Sequence, residues 1–342
     1  MRYIIIGAGA VGGTIGACLH QSGHDVVLVA RGDHLRALRE AGLTLATPAG
    51  TEVLPIPAAG GPDEVRPRPG DVLIVSVKSQ DTAGVLEQWA WHPVSDGTAA
   101  AETLPVVCAQ NGVANEAVAL RRFRRVYGMC VWLPATHLAP GRVDAQGTPL
   151  AGLLPVGRYP RGTDDFTERI AATLSASRFL APVSDDVMRW KYGKLLANLH
   201  NATEALCFPE ARGGEGAWNG EDARELRKRA RAEALAVFDA AGIGYASPDE
   251  IRAARADQVE IGTVDGAERG GGSSWQSLTR GTGTIEADYL NGEITLLGRW
   301  HGVPVPVNAA LQRLANAAAR EGRAPGSMTP AAILSAAGVS GS

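Results

Sequence analysis

Gly7-Ala8-Gly9-Ala10-Val11-Gly12 follows the apolar run Tyr3-Ile4-Ile5-Ile6 and opens a helix-like stretch that ends at Ser22-Gly23. A G-x-G-x-x-G run is weak evidence alone and strong evidence between a strand and a helix. The chemistry is phosphate binding. Gly7 permits the tight turn, Gly9 lets a pyrophosphate approach the backbone, and Gly12 lets helix and strand pack closely. The helix N-terminus adds free N–H groups and a partial positive charge. The next strand, Asp25-Val26-Val27-Leu28-Val29-Ala30, ends at Arg31. NAD-binding folds usually carry an Asp or Glu there for the ribose hydroxyls. A forked guanidinium suits a 2′-phosphate instead, so the expected cofactor is NADPH/NADP rather than NAD. The alternative is that Arg31 is a surface residue, with Asp33 capping the next helix or binding a ribose.

Lys78 follows the strand Asp71–Val77, and Asn111-Gly112 follows the strand Leu104–Cys108. Ligands of open parallel sheets bind outside the C-terminal strand ends, so Lys78 could reach a phosphate or a nicotinamide carboxamide, and Asn111 lies at the same edge. The plainer reading is an exposed lysine and a turn asparagine. On the helix expected over Asp186–Cys207, a rotation of about 100° per residue puts Lys191, Lys194, Asn198 and Asn201 on one face, with Tyr192, Leu195, Leu199 and Leu206 on another. A solvated face is the simpler account, but Asn is a poor helix former there. Two asparagines beside two lysines read as a polar binding surface. A further polar set is Ser273-Ser274, Glu286 and Asn291-Gly292. By pattern alone Glu286 is an ordinary helix glutamate and the serines are loop residues.

The elements that must hold these groups fall into two textures. The first half alternates strand and helix, which implies an α/β Rossmann-type domain with a mostly parallel sheet covered by helices. Leu43–Leu45 and Glu52–Ile56 read as an inserted hairpin, and the pieces from Val126 to Val156 as short strands, one or two of them antiparallel. Asp33–Ala41 and Asp164–Ser175 look helical, and Arg178–Val183 extended. From residue 185 helical patterns dominate: Asp186–Cys207, Gly220–Ala241, Ser247–Ala256, Gly283–His301 and Val307–Arg320. Gly270-Gly271-Gly272 must be a loop, Ala331–Leu334 a short helix, and the last few residues frayed. The expected division is 1–184, an NADP-binding Rossmann-type domain, and 185–342, an all-α substrate and catalytic domain.

At 342 residues two domains are the natural expectation. The chain is 45% hydrophobic and 20% charged, which is ordinary for a soluble enzyme. A net charge of −3 gives no support for a nucleic-acid partner. No apolar run is long enough to span a bilayer. The nucleotide site begins at the first strand, so no signal peptide is expected. Cys18, Cys108, Cys130 and Cys207 lack metal spacing and read as reduced core residues of a cytoplasmic protein. No metal is expected. A homodimer through the helical part is one state such a chain allows.

Taken together these residues resemble the ketopantoate reductase (2-dehydropantoate 2-reductase) family, in the order Gly7/Gly9/Gly12 with Arg31, Val77-Lys78, Gln110-Asn111-Gly112, Lys194 through Asn198, Ser274, and Glu286 through Gly292. The resemblance implies NADPH-dependent reduction of the 2-keto group of ketopantoate, on the pantothenate and coenzyme A route, between a nucleotide domain and a helical domain. It implies Lys194 as the group that stabilises the developing oxyanion and supplies the proton. Glu286 would hold the substrate hydroxyl and orient the lysine. Asn198 and Ser274 would contact the 2-oxo acid substrate, with Ser274 near its carboxylate. Asn111 and Lys78 would lie beside the nicotinamide, and Arg31 would read the 2′-phosphate. Two departures touch the substrate side. The family usually has a second asparagine four residues after Asn198; here that position is Ala202, and Asn201 comes one place early, a rotation of about 100°. The serine loop lacks the usual acidic residue and carries Trp275 where a smaller apolar residue is preferred. The other readings are a reductase of another 2-oxo acid or carbonyl in specialised metabolism, and a non-catalytic NADPH-binding sensor.

Overall fold

The computed structural model describes residues 1–209, 218–266 and 271–339. Gly270 and the chain end at 340–342, read above as loop and frayed tail, lie outside them. The chain divides into two compact units, Met1–Lys191 with Ala246–Arg269, and Tyr192–Tyr245 with Gly270–Ser342.

The first unit holds all the strands found among the described residues: β1 Arg2–Ile6, β2 Asp25–Val29, β3 Leu43–Thr47, β4 Gly50–Leu54, β5 Ala58–Ala59, β6 Val72–Val75, β7 Val106–Cys108 and β8 Val126–Met129. Then follow β9 Ala135–Thr136, β10 Arg142–Ala145, β11 Gly147–Pro149, β12 Gly152–Leu153, β13 Val156–Arg158, β14 Phe179–Leu180 and β15 Val259–Ile261. Its helices are α1 Ala10–Gln21, α2 Gly32–Ala41, α3 Pro62–Val65, α4 Thr82–Ala90, α5 Ala100–Thr103, α6 Asn115–Leu120 and α7 Asp165–Ala176. The next, α8 Val187–Asn198, begins in this unit and runs on into the second.

Seven strands form the main sheet in the order β13-β8-β7-β6-β1-β2-β5, parallel except for β13. Ile4, Ile5 and Ile6 of the central strand are buried on both faces, as a parallel sheet covered on both sides requires. From β1 the chain first builds toward β2 and then returns to β6 on the other side. The switch point therefore lies at the C-terminal end of β1, where such sheets bind ligands. The hairpin β3–β4 forms as expected, but it is no isolated insertion. It joins β10 and β9 in a second, four-stranded sheet that packs on α1.

The expected break at residues 184/185 differs from the observed units in two places. The first unit extends to Lys191, because Lys191 is buried against it in an ion pair with Glu116. Residues Ala246–Arg269, expected in the helical domain, return to the first unit. Pairing of β15 with β11, the Arg189–Glu250 and Arg142–Asp265 ion pairs, and Ala246 N–H donating to Arg189 O (2.8 Å) hold them there. These are contacts of large sequence separation, which no local pattern announces.

The second unit is helical throughout its described residues. It holds α9 His200–Cys207, α10 Glu221–Ala240, α12 Ser273–Thr279, α13 Asn291–His301, α14 Pro306–Arg320 and α15 Pro330–Ala336; α11, Pro248–Arg255, belongs to the first unit. Ala202, Leu206, Leu226, Leu278, Leu311 and Ile333 lie in one apolar core. The single helix expected over Asp186–Cys207 is broken at Leu199. The Asn291 side chain donates to Leu199 O (3.2 Å), an insertion of the kind that interrupts a helical ladder. Asn291 also donates to Asn308 Oδ1 (3.0 Å), and Glu233 accepts from the Val307 and Asn308 backbone at the start of α14.

His200 at the start of α9 packs edge-on to Trp218, and Arg227 lies 4.1 Å over the same indole. Burial pushes the His200 pKa down from 6.5 to about 4, helped by Arg227 and Arg231. The unfolded chain therefore takes up this proton first as pH falls. Its contribution to stability is fully present above pH 6.5 and drains away toward pH 4, a loss on the order of 3 kcal/mol. Denaturant titrations of wild type and His200→Gln across that window should diverge, with the wild type losing more. Parallel curves would contradict the burial argument.

Candidate active site

The first group of candidate residues collects at the C-terminal edge of β1, β2, β6 and β7. Gly7 has φ +102°, and a Cβ there would lie 2.7 Å from the Val77 nitrogen. At Gly12 a Cβ would meet Gly7 O and Ser76 Oγ, both at 2.2 Å. Ser76 donates to Gly7 O (2.9 Å), so the end of β6 braces the turn. Gly9 is different: the nearest heavy atom to a Cβ would be His137 Cδ2 at 3.9 Å, leaving the backbone surface open. Helix α1 starts with neither a side-chain cap nor an acidic residue in its first turn. Uncapped N–H groups, an open Gly9 and no opposing charge fit a dinucleotide pyrophosphate across Gly7, Ala8, Gly9, Ala10, Val11 and Gly12.

Arg31 lies two residues beyond β2, at the N-cap of α2, with its side chain 87% exposed and 3.2 Å from Asp81 Oδ2. Asp33, the alternative cap, pairs with Arg36, and α2 has no side-chain cap. Lys78 precedes a short 3₁₀ turn, Ser79–Asp81, and Asn111 begins the turn after β7. A buried network staples the two turns. Gln110 donates to Val77 O (2.8 Å) and Thr82 Oγ1 (2.7 Å), and Thr82 donates to Asn115 Oδ1 (2.8 Å). Asn115 in turn donates to Asn111 O (3.0 Å) and Ser79 Oγ (3.2 Å). The chain on either side of Lys78 and at Asn111 is thus held by a buried network.

The sequence reading passed over His34 and His137. His34 contacts Ala8 O through Nε2 (2.8 Å), and the Gly141 N–H donates to its Nδ1 (2.9 Å). Together these require the neutral Nε2–H tautomer, and burial lowers the His34 pKa in keeping. His137 stacks on it with ring centroids 4.4 Å apart. His34 buttresses the glycine turn from α2, and His137, just after β9 of the second sheet, packs on it. The only available signal was two histidines outside any motif.

The second group lies in the helical unit. Lys194 is half-buried on α8, and Asn198, one turn on, is 5% exposed. The Asn198 Nδ2 is buried with no hydrogen-bond partner among the described residues. Ser274 and Glu286 are also buried, and Glu286 lies near enough to Arg280 to favour that guanidinium's charge. Two segments converge on the α8–α9 junction. Asn201 donates to Ser273 Oγ (3.3 Å), and Asn291, five residues after Glu286, caps Leu199 O.

Three of these side chains have protein neighbours of their own. Lys191 does not share a polar binding face with Lys194. It is 2% exposed, in an ion pair with Glu116 of α6, itself fully buried. Asn201, expected to contact substrate, uses its amide on Ser273. Trp275 packs partly buried against the helical core and beside Gly271. No group of His, Cys, Asp and Glu suited to a metal occurs among the described residues, and no helix there is long and apolar enough to cross a membrane.

A glycine turn at the switch point of a parallel sheet, followed by a helical unit with a lysine and buried polar groups, defines a two-domain oxidoreductase acting on a CH–OH/keto group. Residues 3–159 match the family model for ketopantoate reductase PanE/ApbA, and residues 186–319 match the model for its C-terminal part. The chain belongs to the ketopantoate reductase PanE/ApbA family. It is 28% identical over 324 residues to the 2-dehydropantoate 2-reductase of Pyrococcus horikoshii, covering 93% of this chain and 97% of that protein. A PanE/ApbA family ketopantoate reductase from Ralstonia eutropha JMP134 superposes with TM-score 0.75 at 28% identity, over 94% of this chain and 99% of that one. D-mandelate dehydrogenase, solved with NADH and anilino(oxo)acetate, gives TM-score 0.77 at 22% identity over 94% and 99%, a likeness of fold.

Proposed function

We propose that this chain reduces 2-dehydropantoate (ketopantoate) to pantoate with NADPH, the nucleotide held by the domain expected at 1–184 and the substrate by the domain expected at 185–342. The carrying observation is the Asn198 Nδ2, buried one turn from Lys194 with no hydrogen-bond partner among the described residues. A buried donor left unpaired costs about 1–3 kcal/mol, and a substrate oxygen would satisfy it.

The reduced nicotinamide, when bound, supplies the hydride that adds to carbon 2. The Lys194 ammonium hydrogen-bonds the ketone oxygen, stabilises the negative charge that gathers there, and delivers its proton to the alkoxide. Glu286 holds the substrate hydroxyl and orients Lys194. Ser274 and Asn198 bind the acid and its neighbouring oxygen, while Lys78 and Asn111 flank the nicotinamide. The assay is NADPH oxidation with ketopantoate, with NADH and a panel of 2-oxo acids in parallel. Rapid NADPH-dependent turnover of ketopantoate supports the reading; binding of NADPH without turnover of any 2-oxo acid overturns it and favours a sensor.

Arg31 supplies the cofactor preference in this reading. Its exposed pairing with Asp81 is worth little, so the guanidinium is available to a 2′-phosphate. Arg31→Ala should raise the KM for NADPH about 10–100-fold, the worth of a charge-assisted contact, and leave that for NADH within about twofold. Equal effects on both cofactors would remove Arg31 from this role.

A second reading, reduction of a different 2-oxo acid, is favoured by one observation. Asn201 is committed to Ser273, and Ala202 offers no amide in its place. The same panel separates the two readings.

A further inference from the structure

Two side chains one turn apart on α9 reach the same dipeptide. Glu204 Oε2 accepts the Gly272 N–H (2.8 Å), and Asn201 Nδ2 donates to Ser273 Oγ (3.3 Å). Glu204 is 8% exposed. A carboxylate so buried persists only where its hydrogen bonds are made. The approach is close: a Cβ at position 272 would lie 2.6 Å from Glu204 Oε2 and 3.1 Å from Asn201 Oδ1. The other side of the loop is tied down from α12. Gln276 Nε2 donates to Gly271 O (3.0 Å), and Ser277 Oγ donates to Ser273 O (2.8 Å). Ser274 is the next residue along, already in α12 and buried.

We propose that Glu204, assisted by Asn201, is a positioning residue: it latches the Gly272-Ser273 backbone to α9 and so sets where Ser274 meets the carboxylate of the 2-oxo acid. The inference rests on the function proposed above. Glu204 does not bind that carboxylate itself, since two anions repel. It acts through the loop, and it gives Asn201 a task that accounts for its one-residue offset.

The test uses the full-length protein with Glu204→Ala and Glu204→Gln, assayed on ketopantoate and on its neutral amide. Glu204→Ala should raise the KM for ketopantoate about tenfold or more with kcat little changed, the pattern of a lost binding contact. The KM for the neutral amide should hold. Glu204→Gln keeps an acceptor oxygen and should recover most of the affinity. Equal losses on acid and amide would mean general disruption and overturn the proposal. A lower KM for the acid would also overturn it, because Glu204 would then act by repulsion. The Gly272 amide provides a readout that needs no turnover: its hydrogen exchange should speed about tenfold or more in Glu204→Ala and return in Glu204→Gln. Unchanged exchange would show that there is no latch. Failure of wild type to reduce any 2-oxo acid would sink the functional reading instead. It is seen before any variant is made, and the Gly272 amide then decides the latch alone.

Discussion

Replacing Lys194 with alanine should lower kcat with ketopantoate by about a thousandfold or more while NADPH binds as before. Two effects are lost together. Stabilising a developing oxyanion is worth about 10²–10³ in rate, and general acid catalysis about 10²–10⁴. They act through one ammonium, so they do not simply multiply. Lys194 lies in the helical unit and the glycine turn in the other, so cofactor affinity by fluorescence titration should stay within about twofold. Lys194→Arg keeps the charge but not a readily donated proton, and should recover only part of the rate. Turnover unchanged in Lys194→Ala would contradict the assignment, and in a sensor the substitution would change nothing.

Lys191→Met, one turn earlier on the same helix, should behave in the opposite way, as a stability defect. It strands the fully buried Glu116 carboxylate. Removing one partner of a buried pair costs about 3–5 kcal/mol. Glu116→Leu should cost a similar amount by stranding the ammonium. The double variant Lys191→Met/Glu116→Leu should recover most of the loss, because apolar replacement of a buried pair is often neutral. Glu116 Oε2 already lacks a hydrogen-bond partner among the described residues, which makes the native pair easier to match. Chemical denaturation of the four proteins gives the cycle. Near-additive losses in the double variant would show that the two groups do not depend on each other.

The contrast between these two lysines shows what could be read from the chain. Helical periodicity placed Lys191, Lys194, Asn198 and Asn201 on one side, and nothing local distinguishes them. What separates them is the partner across each: Glu116 for Lys191, Ser273 for Asn201, and none among the described residues for the Asn198 Nδ2. Those partners lie more than 70 residues away in sequence. The glycine turn was legible because its whole logic fits in six residues, and the geometry at Gly7 and Gly12 matches the steric roles assigned to them. The interruption at Leu199 is not legible locally, since the side chain that meets the Leu199 carbonyl, Asn291, is 92 residues distant. The return of Ala246–Arg269 to the first unit escaped for the same reason. Glu204 carries no local signal, because the Gly272 amide it meets is 68 residues away.

Transfer of deuterium tests the central claim most directly. The protein is given NADPH carrying deuterium at both C4 positions together with ketopantoate, and the product is weighed by mass spectrometry. The account predicts pantoate heavier by one deuterium, fixed at carbon 2, formed about a thousandfold or more faster by wild type than by Lys194→Ala. Unlabelled pantoate, or no pantoate from a protein that binds NADPH, would contradict it.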